Sequence, residues 1–355
     1  MPFHTTNCDL ANKQTPPAKS ARTSRPRRVS LVIPAYNEES NINALRERLT
    51  AVFGAARGYE FDITIVDDHS SDGTPAAVRR WADDDRRVRL IRLSRNFGSH
   101  AAFHAGVAEC SGDAAVFLAA DLQDPPELVL EMTQQWENGS DVVWAIRAGR
   151  EGEKVSVKLF SQVYYVALRH MGLSQIPAQG ADFFLIDRKV IDAYLRIPEK
   201  NTSFMGMVLW MGFRQSFVPY VKQARASGVS KWTLGKKIKL FVDSIVSFSF
   251  TPIRAMSVLG VLFALAGFAF MLFVIVARLA GWVVAGTGYA ALMTVVLMGF
   301  GLIMLMLGVM GEYLWRTFDE ARGRPRFIVE DRYPDPREKQ RSSAEHEPSK
   351  ASSQE

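Results

Sequence analysis

Two short acidic segments carry the side chains best suited to chemistry. The first spans residues 67–74, in which Asp67 and Asp68 are followed by Asp72 and Gly73. Two carboxylates at the end of a strand can accept hydrogen bonds from a base or from ribose hydroxyls. A helix that begins after such a turn offers its N-terminus to phosphate. A polar turn with a helix cap is the alternative, and it is the simpler interpretation for any single aspartate.

The second segment spans residues 121–127. Asp121 and Gln123 point to the same side if this segment is extended. Oxygen ligands of this kind suit Mg²⁺ or Mn²⁺, which bridge a diphosphate. A helix-capping turn is the alternative, with Asp124 as the cap and two prolines opening the helix. Both interpretations hold together if Asp124 caps the helix while Asp121 binds metal.

The elements that must position these segments follow from the alternation of apolar and amphipathic stretches. The pattern predicts strands at residues 29–34, 61–66, 88–93, 114–118 and 141–146. It predicts helices at residues 39–56, 74–82, 99–109 and 126–136. This alternation indicates an α/β fold with a mostly parallel sheet and helices on both faces. Ligands bind beyond the carboxyl ends of such strands, and both acidic segments lie there.

Beyond residue 149 the regular alternation of predicted strands and helices changes. The pattern predicts an amphipathic helix at 154–171, strands at 182–187 and 214–221, and a helix at 203–211. Residues 234–250 are basic at one end and apolar at the other, which is typical of a helix lying on a membrane surface. A core helix of a globular domain is the alternative for that segment.

Charge is spread unevenly along the 355 residues, although the net charge is only +6. Residues 255–277 and 288–311 are uncharged and apolar, and each run exceeds the roughly 20 residues that cross a hydrocarbon core. The connection between them carries one cation, whereas both outer flanks are strongly basic. The positive-inside rule therefore places both long ends in the cytoplasm. Basic residues beside membrane spans also argue against nucleic acid as the partner.

Other features of the sequence carry less chemistry. Cys8 and Cys110 form neither a disulfide framework nor a zinc pattern, and the polar N-terminus does not read as a signal peptide. His100 and His104 lie four residues apart, but with no third ligand in view they are interpreted as ordinary histidines. The glycines of the second span either form a packing face or reflect the general tolerance of membrane helices for glycine: Gly299, Gly301 and Gly308.

Five motifs occur in register along the chain. They are PAYNE at 34–38, VDDHSSDGT at 66–74, RNFG at 95–98, DLQDPPE at 121–127 and SKW at 230–232. Together they resemble the dolichyl-phosphate mannose synthase group of family 2 glycosyltransferases. The likeness is greatest to bacterial polyprenyl-phosphate glycosyltransferases with a two-helix membrane anchor. It covers roughly residues 28–329, which leaves out little besides the tails.

The resemblance implies a GT-A fold, which is Rossmann-like, with a C-terminal transmembrane hairpin. It implies inverting transfer of a sugar from a UDP- or GDP-linked donor to undecaprenyl or another polyprenyl phosphate, with Mg²⁺ or Mn²⁺. The setting would be the cytoplasmic face of the inner membrane, in the synthesis of envelope glycans, and a homo-oligomer is compatible with it. The corresponding segments are a disordered tail (1–27), the transferase domain (28–230), a juxtamembrane helix (231–253), two membrane helices (254–316) and a partly disordered cytoplasmic tail (317–355).

The resemblance also implies roles for individual residues. Four would line the nucleotide, with Asp67 or Asp68 reading the base: Pro34, Ala35, Tyr36 and Glu38. Asp121 and Gln123 would hold the metal, and Asp121 and Asp182 are the candidates for catalysis. Asp182 would contact or orient the sugar or the acceptor; a plain carboxylate at a strand start is the alternative. Six residues would bind the phosphates or the acceptor: Arg147, Lys158, Ser161, Arg225, Ser230 and Lys231.

One departure from the family pattern concerns the metal. The family often has an aspartate two residues before Asp121, and this chain has Ala119. Either Asp121, Gln123 and the diphosphate suffice, or Asp124 moves in, or the metal binds weakly, because fewer anionic ligands lower affinity. Ala119 is also the only support for a non-catalytic membrane scaffold. A processive polysaccharide synthase is the other alternative, but the chain lacks the Gln-x-x-Arg-Trp motif expected after the acidic sites.

Overall fold

The computed structural model of the protein describes residues 26–147, 183–200, 202–223, 251–281 and 288–335. The predicted helices at 154–171 and 234–250 lie outside these residues. So do six of the predicted site residues: Lys158, Ser161, Asp182, Arg225, Ser230 and Lys231.

Eight strands form one sheet. In chain order they are β1 (Arg27–Ala35), β2 (Tyr59–Asp67), β3 (Val88–Leu93), β4 (Ala114–Phe117), β5 (Val142–Arg147), β6 (Phe184–Asp187), β7 (Gln215–Tyr220) and β8 (Val329–Tyr333). Their order across the sheet is β7-β5-β6-β4-β1-β2-β3-β8. Only β6 and β8 run against the others in the sheet of described residues. The prediction of a mostly parallel α/β sheet is confirmed.

The chain reverses its direction of travel across the sheet between β1 and β4. From β1 it moves outward through β2 to β3, and then returns to place β4 on the other side of β1. The loops that leave β1 and β4 therefore diverge and leave a crevice at their carboxyl ends. In open α/β sheets this switch point is where ligands bind.

Helices cover both faces of the sheet. They are α1 (Glu39–Ala55), α2 (Thr74–Asp84), α3 (Ser99–Ala108), α4 (Leu128–Glu137), α5 (Arg188–Leu195) and α6 (Phe204–Trp210). Alternation along β1 sends Leu31 and Ile33 to the core beneath α1, α2 and α4, and sends Val32 to the core beneath α3, α5 and α6. All three side chains are fully buried, and each such burial stabilises the fold by about 1.5–3 kcal/mol.

Helix α3 packs very closely on the sheet at Gly106. A Cβ atom added there would lie 2.2 Å from Cγ1 of Val32. Only glycine allows this approach, and it brings the start of α3 near the carboxyl ends of β1 and β2.

The elements predicted between residues 29 and 146 are all present, with ends that differ by two residues or fewer. The same holds for β6, α6 and β7. Two elements were not predicted. One is α5, which Asp187 caps by accepting a hydrogen bond from the Lys189 N–H at 3.0 Å. The other is β8, which adds to the sheet a strand far along the chain from residue 230, the predicted end of the domain.

Two further helices are long and apolar enough to cross a membrane. They are α7 (Thr251–Leu279) and α8 (Tyr289–Ala321), with candidate spans at Ile253–Ala277 and Val295–Ala321. Large apolar side chains on both are exposed, whereas a core helix of a globular protein buries them. Gly260 lies near Met306 between the two helices. A methyl group added at Gly299, Gly301 or Gly308 would meet no described atom within 4 Å, so a packing face at these glycines is not found.

Helix α8 continues past its apolar part. Its 33 residues measure about 50 Å at 1.5 Å per residue, whereas a hydrocarbon core is about 30 Å thick. The C-terminal end reaches the sheet domain, where Glu320 accepts a hydrogen bond from the Lys200 N–H at 2.5 Å. A single helix therefore joins the apolar region to the domain without an intervening flexible segment.

Arg326, which lies between α8 and β8, stabilises the contact between the end of α8 and the sheet domain. Its guanidinium donates to Nδ1 of His104 at 3.0 Å, to the Tyr194 hydroxyl at 3.2 Å and to the Ile197 carbonyl at 3.0 Å, and it also contacts the Glu199 carbonyl. Because arginine can only donate, Nδ1 of His104 must be unprotonated. Burial and the nearby Arg326 lower the pKa of His104 to about 4. The interpretation of His104 as a structural histidine agrees with these contacts.

Replacing Arg326 by Ala should lower the free energy of unfolding by about 1–3 kcal/mol, because several acceptors lose their donor. The measurement is thermal or denaturant unfolding of the purified full chain. The matched control is Arg324→Ala, because Arg324 is exposed and its side chain has no polar contact within the part of the chain that the structure describes. Equal unfolding midpoints for the two variants would contradict the role given to Arg326.

Acid should weaken the fold through His104. Its folded pKa of about 4 lies below the ordinary value of 6.5, so the unfolded chain takes up the proton first. The stability contributed by neutral His104 is present above about pH 6.5 and is lost as the pH falls towards 4. His104→Gln should flatten the slope of stability against pH in this window. An unchanged slope would show that other groups dominate it.

Candidate active site

Hydrogen bonds between side chains and backbone join the turns that follow β1 and β2. The Asn37 N–H donates to the Ser70 hydroxyl at 2.9 Å, and the Ser71 N–H donates to Oδ1 of Asn37 at 2.8 Å. Asn37 and His69 both adopt left-handed backbone conformations, with φ of 53° and 62°. Asparagine tolerates this region better than most residues, whereas histidine there indicates a turn held by its surroundings.

A second set of bonds continues the link into the two helices. The Glu38 N–H donates to the Thr74 hydroxyl at 2.9 Å, and the Gly73 N–H donates to Oε2 of Glu39 at 2.9 Å. Asp72 accepts from the Thr74 N–H at 3.0 Å, which places a carboxylate at the start of α2. The PAYNE and VDDHSSDGT motifs thus form one structure, because each satisfies backbone donors of the other.

Asp67 and Asp68 lie beneath the surface of this structure. Asp67 is fully buried and accepts from the Ser70 N–H at 3.1 Å. Asp68 accepts from the N–H groups of Phe97 and Gly98 at 2.7 and 2.8 Å, so it ties the 95–98 loop to the end of β2. Burial raises the pKa of both carboxyl groups, while these hydrogen bonds oppose the shift. The geometry gives both aspartates a part in shaping the turn.

The residues that reach the surface of the crevice lie above these carboxylates. Tyr36 is exposed, and Pro34 and Glu38 are half-buried, whereas Ala35 is buried. Glu38 accepts from the Asn41 amide at 2.6 Å, which fixes the direction of its side chain. The four residues predicted to line a nucleotide lie together at the end of β1, and the side chain of Ala35 is buried.

The segment after β4 is a turn, so the condition that it be extended is not met. Leu122 has a φ of 57° and is buried. The Gln123 N–H donates to Oδ1 of Asp121 at 3.2 Å, which is an interaction typical of an aspartate-initiated turn. Burial of the Leu122 side chain fixes this conformation. The turn brings the backbone N–H of Gln123 to the Asp121 carboxylate.

The carboxylate of Asp124 is hydrogen-bonded to a tyrosine at the end of β7. Its Oδ1 accepts from the Tyr220 hydroxyl at 2.5 Å, and α4 shows no side-chain cap. Tyr220 is paired with Arg147 in the register of β5 and β7, and all three side chains are buried. Burial and the Asp124 carboxylate raise the pKa of Tyr220, which keeps the hydroxyl protonated as a donor. The carboxyl ends of β4, β5 and β7 therefore meet here.

The same turn is held from two other sides. Arg48 on α1 forms an ion pair with Glu127, with Nη2 to Oε2 at 2.6 Å, and its Nη1 donates to the Gln223 amide oxygen at 3.0 Å. The Gln223 N–H donates to the Gln123 carbonyl at 2.9 Å. Residues 221–223 continue from β7 towards the segment that contains Arg225, Ser230 and Lys231, which lies outside the described residues.

Asp121 and Gln123 are the described residues that could hold a divalent cation at this turn. In the part of the chain that the structure describes, no cluster of three His, Cys, Asp or Glu side chains could hold a metal. Asp121 and Gln123 are both half-buried on one turn. One carboxylate and one amide oxygen fit a hard cation that takes its remaining ligands from a diphosphate and water.

Three contributors to the site had no sequence signal of their own: Arg48, Tyr220 and Gln223. Tyr220 lies one residue before the end of the strand predicted at 214–221, so only its position at the edge with the acidic segments pointed to the site. Arg48 reads as an ordinary surface residue of an amphipathic helix. Its role depends on the distance between α1 and α4 in space.

Comparison with known proteins gives a consistent result. Residues 30–195 match the family described as Glycosyl transferase family 2. The chain is 39% identical over 310 residues to YkcC of Bacillus subtilis (strain 168), an uncharacterized glycosyltransferase, covering 87% of this chain and 95% of that one. It is 30% identical over 307 residues to the bactoprenol glucosyl transferase of Shigella phage SfV, covering 86% of this chain and 98% of that one.

Among solved structures, the chain is similar to a mannosyltransferase from Pyrobaculum calidifontis in complex with GDP-Man and Mn²⁺. The TM-score is 0.42 at 18% identity, over 84% of this chain and 90% of that one. A TM-score of this size carries no argument about ligands or mechanism.

Tyr220→Phe should destabilise the turn at residues 121–127, because it leaves the buried Asp124 carboxylate without its hydroxyl donor. The expected loss is about 1–3 kcal/mol of unfolding free energy, with faster amide exchange in residues 121–127. Hydrogen-exchange mass spectrometry measures the second effect.

The matched control is Tyr59→Phe, since the Tyr59 hydroxyl faces Thr133 and Glu137 at the other end of the sheet. This variant should leave exchange in residues 121–127 unchanged. Equal exchange in that turn for both variants would remove the Tyr220 contact from the site.

Proposed function

The chain belongs to glycosyl transferase family 2, and we propose that it moves a sugar from a nucleotide sugar to a polyprenyl phosphate in the membrane. The observation that carries the proposal is the joining of two parts in one chain. A crevice lined by the PAYNE, VDDHSSDGT and DLQDPPE motifs is connected to two membrane-length helices. The relatives named bactoprenol glucosyl transferase match the chain over nearly their whole length, including that C-terminal region.

The donor nucleotide would lie over the turns after β1 and β2. Tyr36 is exposed at the mouth of the crevice and offers an aromatic face to a base, and Pro34 and Glu38 flank it. Asp67 and Asp68 remain the candidates for reading the base. Their burial favours an indirect part, in which they hold the backbone of the turn and of the 95–98 loop in place for the nucleotide.

The diphosphate of the donor would lie over Asp121 and Gln123. These two residues would hold Mg²⁺ or Mn²⁺, which when bound offsets the charge of the diphosphate and of the leaving group. The hydrogen bonds from Tyr220 and Gln223 keep the turn in shape whether or not the cation is present. With Ala119 in place of a second acid, we expect metal affinity to depend strongly on the bound diphosphate.

The acceptor needs little activation. A phosphate monoester has a second pKa near 6, so at neutral pH it is largely a dianion and already nucleophilic. The task of the protein is to bring two anionic groups together without repulsion. Arg147 lies at the carboxyl end of β5, paired with Tyr220 in the sheet register, and would contribute positive charge there. We assign the same task to Lys158, Ser161, Arg225, Ser230 and Lys231, and sugar or acceptor orientation to Asp182.

The reaction we propose is a direct displacement. An acceptor phosphate oxygen attacks the anomeric carbon of the sugar as the bond to the donor diphosphate breaks, which inverts the configuration. The nucleoside diphosphate leaves with the bonding electron pair.

Both the N-terminal domain and the C-terminal strand belong to the same sheet, so both flanks of the membrane helices lie on one side. The basic flanks favour the cytoplasmic side.

The deciding experiment is a transfer assay on membranes that contain the full chain. Labelled UDP- and GDP-sugars are supplied with polyprenyl phosphate and Mg²⁺ or Mn²⁺, and the chloroform-soluble label is counted. The proposal predicts label in the lipid phase with one donor or a few related donors. No chloroform-soluble label from any nucleotide sugar would refute it.

Asp121→Asn should reduce transfer at least 100-fold at unchanged membrane insertion, because it removes the one carboxylate offered to the metal. The control is Asp192→Asn, which removes an exposed carboxylate on α5, far along the chain from the crevice residues. Turnover of Asp121→Asn close to that of the control would remove Asp121 from the metal role.

A further inference from the structure

Strand β8 carries a bulge next to the nucleotide-side turns. Asp331 pairs with Arg92 and Val329 pairs with Leu93, so the register between β8 and β3 shifts at this point. Glu330 is the extra residue on β8. A bulge leaves one residue unpaired and re-aims its side chain, and such bulges recur beside active sites.

The bulge directs Glu330 towards the turn that follows β2. Its Oε2 lies 3.0 Å from Nε of Arg92 and 3.6 Å from Nδ1 of His69. The His69 Nδ1 also lies 3.1 Å from the Leu93 carbonyl. A residue of the C-terminal strand therefore touches the VDDHSSDGT segment, from which it is separated by some 260 positions and two membrane helices.

Arg92 carries this contact further into the turn. Its Nε lies 3.7 Å from Oδ2 of Asp67, and its Nη2 donates to the Ser70 carbonyl at 3.4 Å. One guanidinium is thus shared between a buried carboxylate of the turn and the carboxylate of Glu330. The position of Arg92 depends on both acids.

We propose that Glu330 is a positioning residue for the nucleotide-binding turn at residues 67–74, acting through Arg92 and His69. This inference rests on the proposed function, because it takes that turn as part of the donor site. The C-terminal strand β8 then helps to position the turn at residues 67–74 as well as extending the sheet. It makes donor binding depend on the segment that returns from the second membrane helix.

The ion pair itself contributes little to stability. The side chains of Arg92 and Glu330 are 25% and 47% exposed, and ion pairs at such exposure are weak because water screens them. Removing the charge of Glu330 should therefore leave the fold intact. An effect on nucleotide affinity would come from a less ordered turn rather than from unfolding.

The neighbouring residue supplies a matched control. Asp331 forms an ion pair with Arg79 at 2.6 Å, and both side chains are about as exposed as Glu330. Asp331 is the register partner of Arg92, but among the described residues its carboxylate is paired with Arg79 of α2 and not with residues 67–70. Asp331→Asn and Glu330→Gln thus make the same change of charge on adjacent residues of one strand.

The experiment measures binding of UDP and of GDP to the full chain in detergent, with Mg²⁺, by titration calorimetry. Glu330→Gln should weaken binding of the preferred nucleotide by 3- to 10-fold and raise the donor KM to match. Its acceptor KM and unfolding midpoint should stay near the wild-type values. Asp331→Asn should bind the nucleotide as the wild type does.

A double-mutant cycle tests the route through Arg92. Arg92→Gln should also weaken nucleotide binding, and Arg92→Gln combined with Glu330→Gln should be less than additive, because the two residues act as one unit. Glu330→Asp should recover part of the affinity, since it keeps the charge on a shorter side chain.

The outcomes separate this inference from the proposed function. If the wild type binds UDP or GDP and Glu330→Gln binds it equally well, the positioning role is wrong and the transferase proposal stands. If Glu330→Gln and Asp331→Asn weaken binding equally, the effect belongs to β8 as a whole, and the specific role of Glu330 is again wrong. If the wild type binds neither nucleotide, both proposals fail.

Discussion

The parallel arrangement of β1, β2 and β4 is the constraint on which the rest of the site depends. Parallel strands end at the same edge, and the reversal of the chain between β1 and β4 opens a crevice there. The backbone donors exposed at that edge must find acceptors. In this protein they are satisfied by side chains of neighbouring turns, so the polar motifs hold one another in place as well as facing the crevice.

The second feature of the structure is the return of the chain from the membrane helices. Helix α8 runs without a break from its apolar part to Glu320, and Arg326 and β8 then fix the following residues to the sheet domain. A domain attached only by a flexible linker would sample many heights above a bilayer. The contacts at both ends of this segment restrict that freedom, which suits the proposed transfer to an acceptor in the membrane.

Much of the fold could be predicted because burial repeats along the sequence. Leu31, Val32 and Ile33 form a continuous apolar run typical of a strand covered on both faces, and the helices show apolar residues at helical spacing. Strand β8 escaped prediction because it is an edge strand with charged residues at three successive positions, 330–332. Its pairing with β3 is fixed by contacts distant in sequence.

The site was predicted in part for the same reason. Motif order located the residues around the crevice, whereas local geometry could not be derived from spacing. Leu122 turns the segment that alternation would extend, and Asp124 accepts a hydrogen bond from Tyr220, which is distant in sequence. Both features depend on burial of a side chain in three dimensions. The six site residues outside the described part of the chain stay as predictions from the resemblance.

The central claim is that the turns at residues 34–41, 67–74 and 121–127 form one nucleotide-diphosphate site. Hydrogen-exchange mass spectrometry of the full chain, with and without saturating UDP or GDP and Mg²⁺, tests it most directly. If the three turns form one site, amide exchange should become slower in all three together when the preferred nucleotide binds. Binding that leaves exchange in these turns unchanged, or that protects only residues elsewhere, would contradict it.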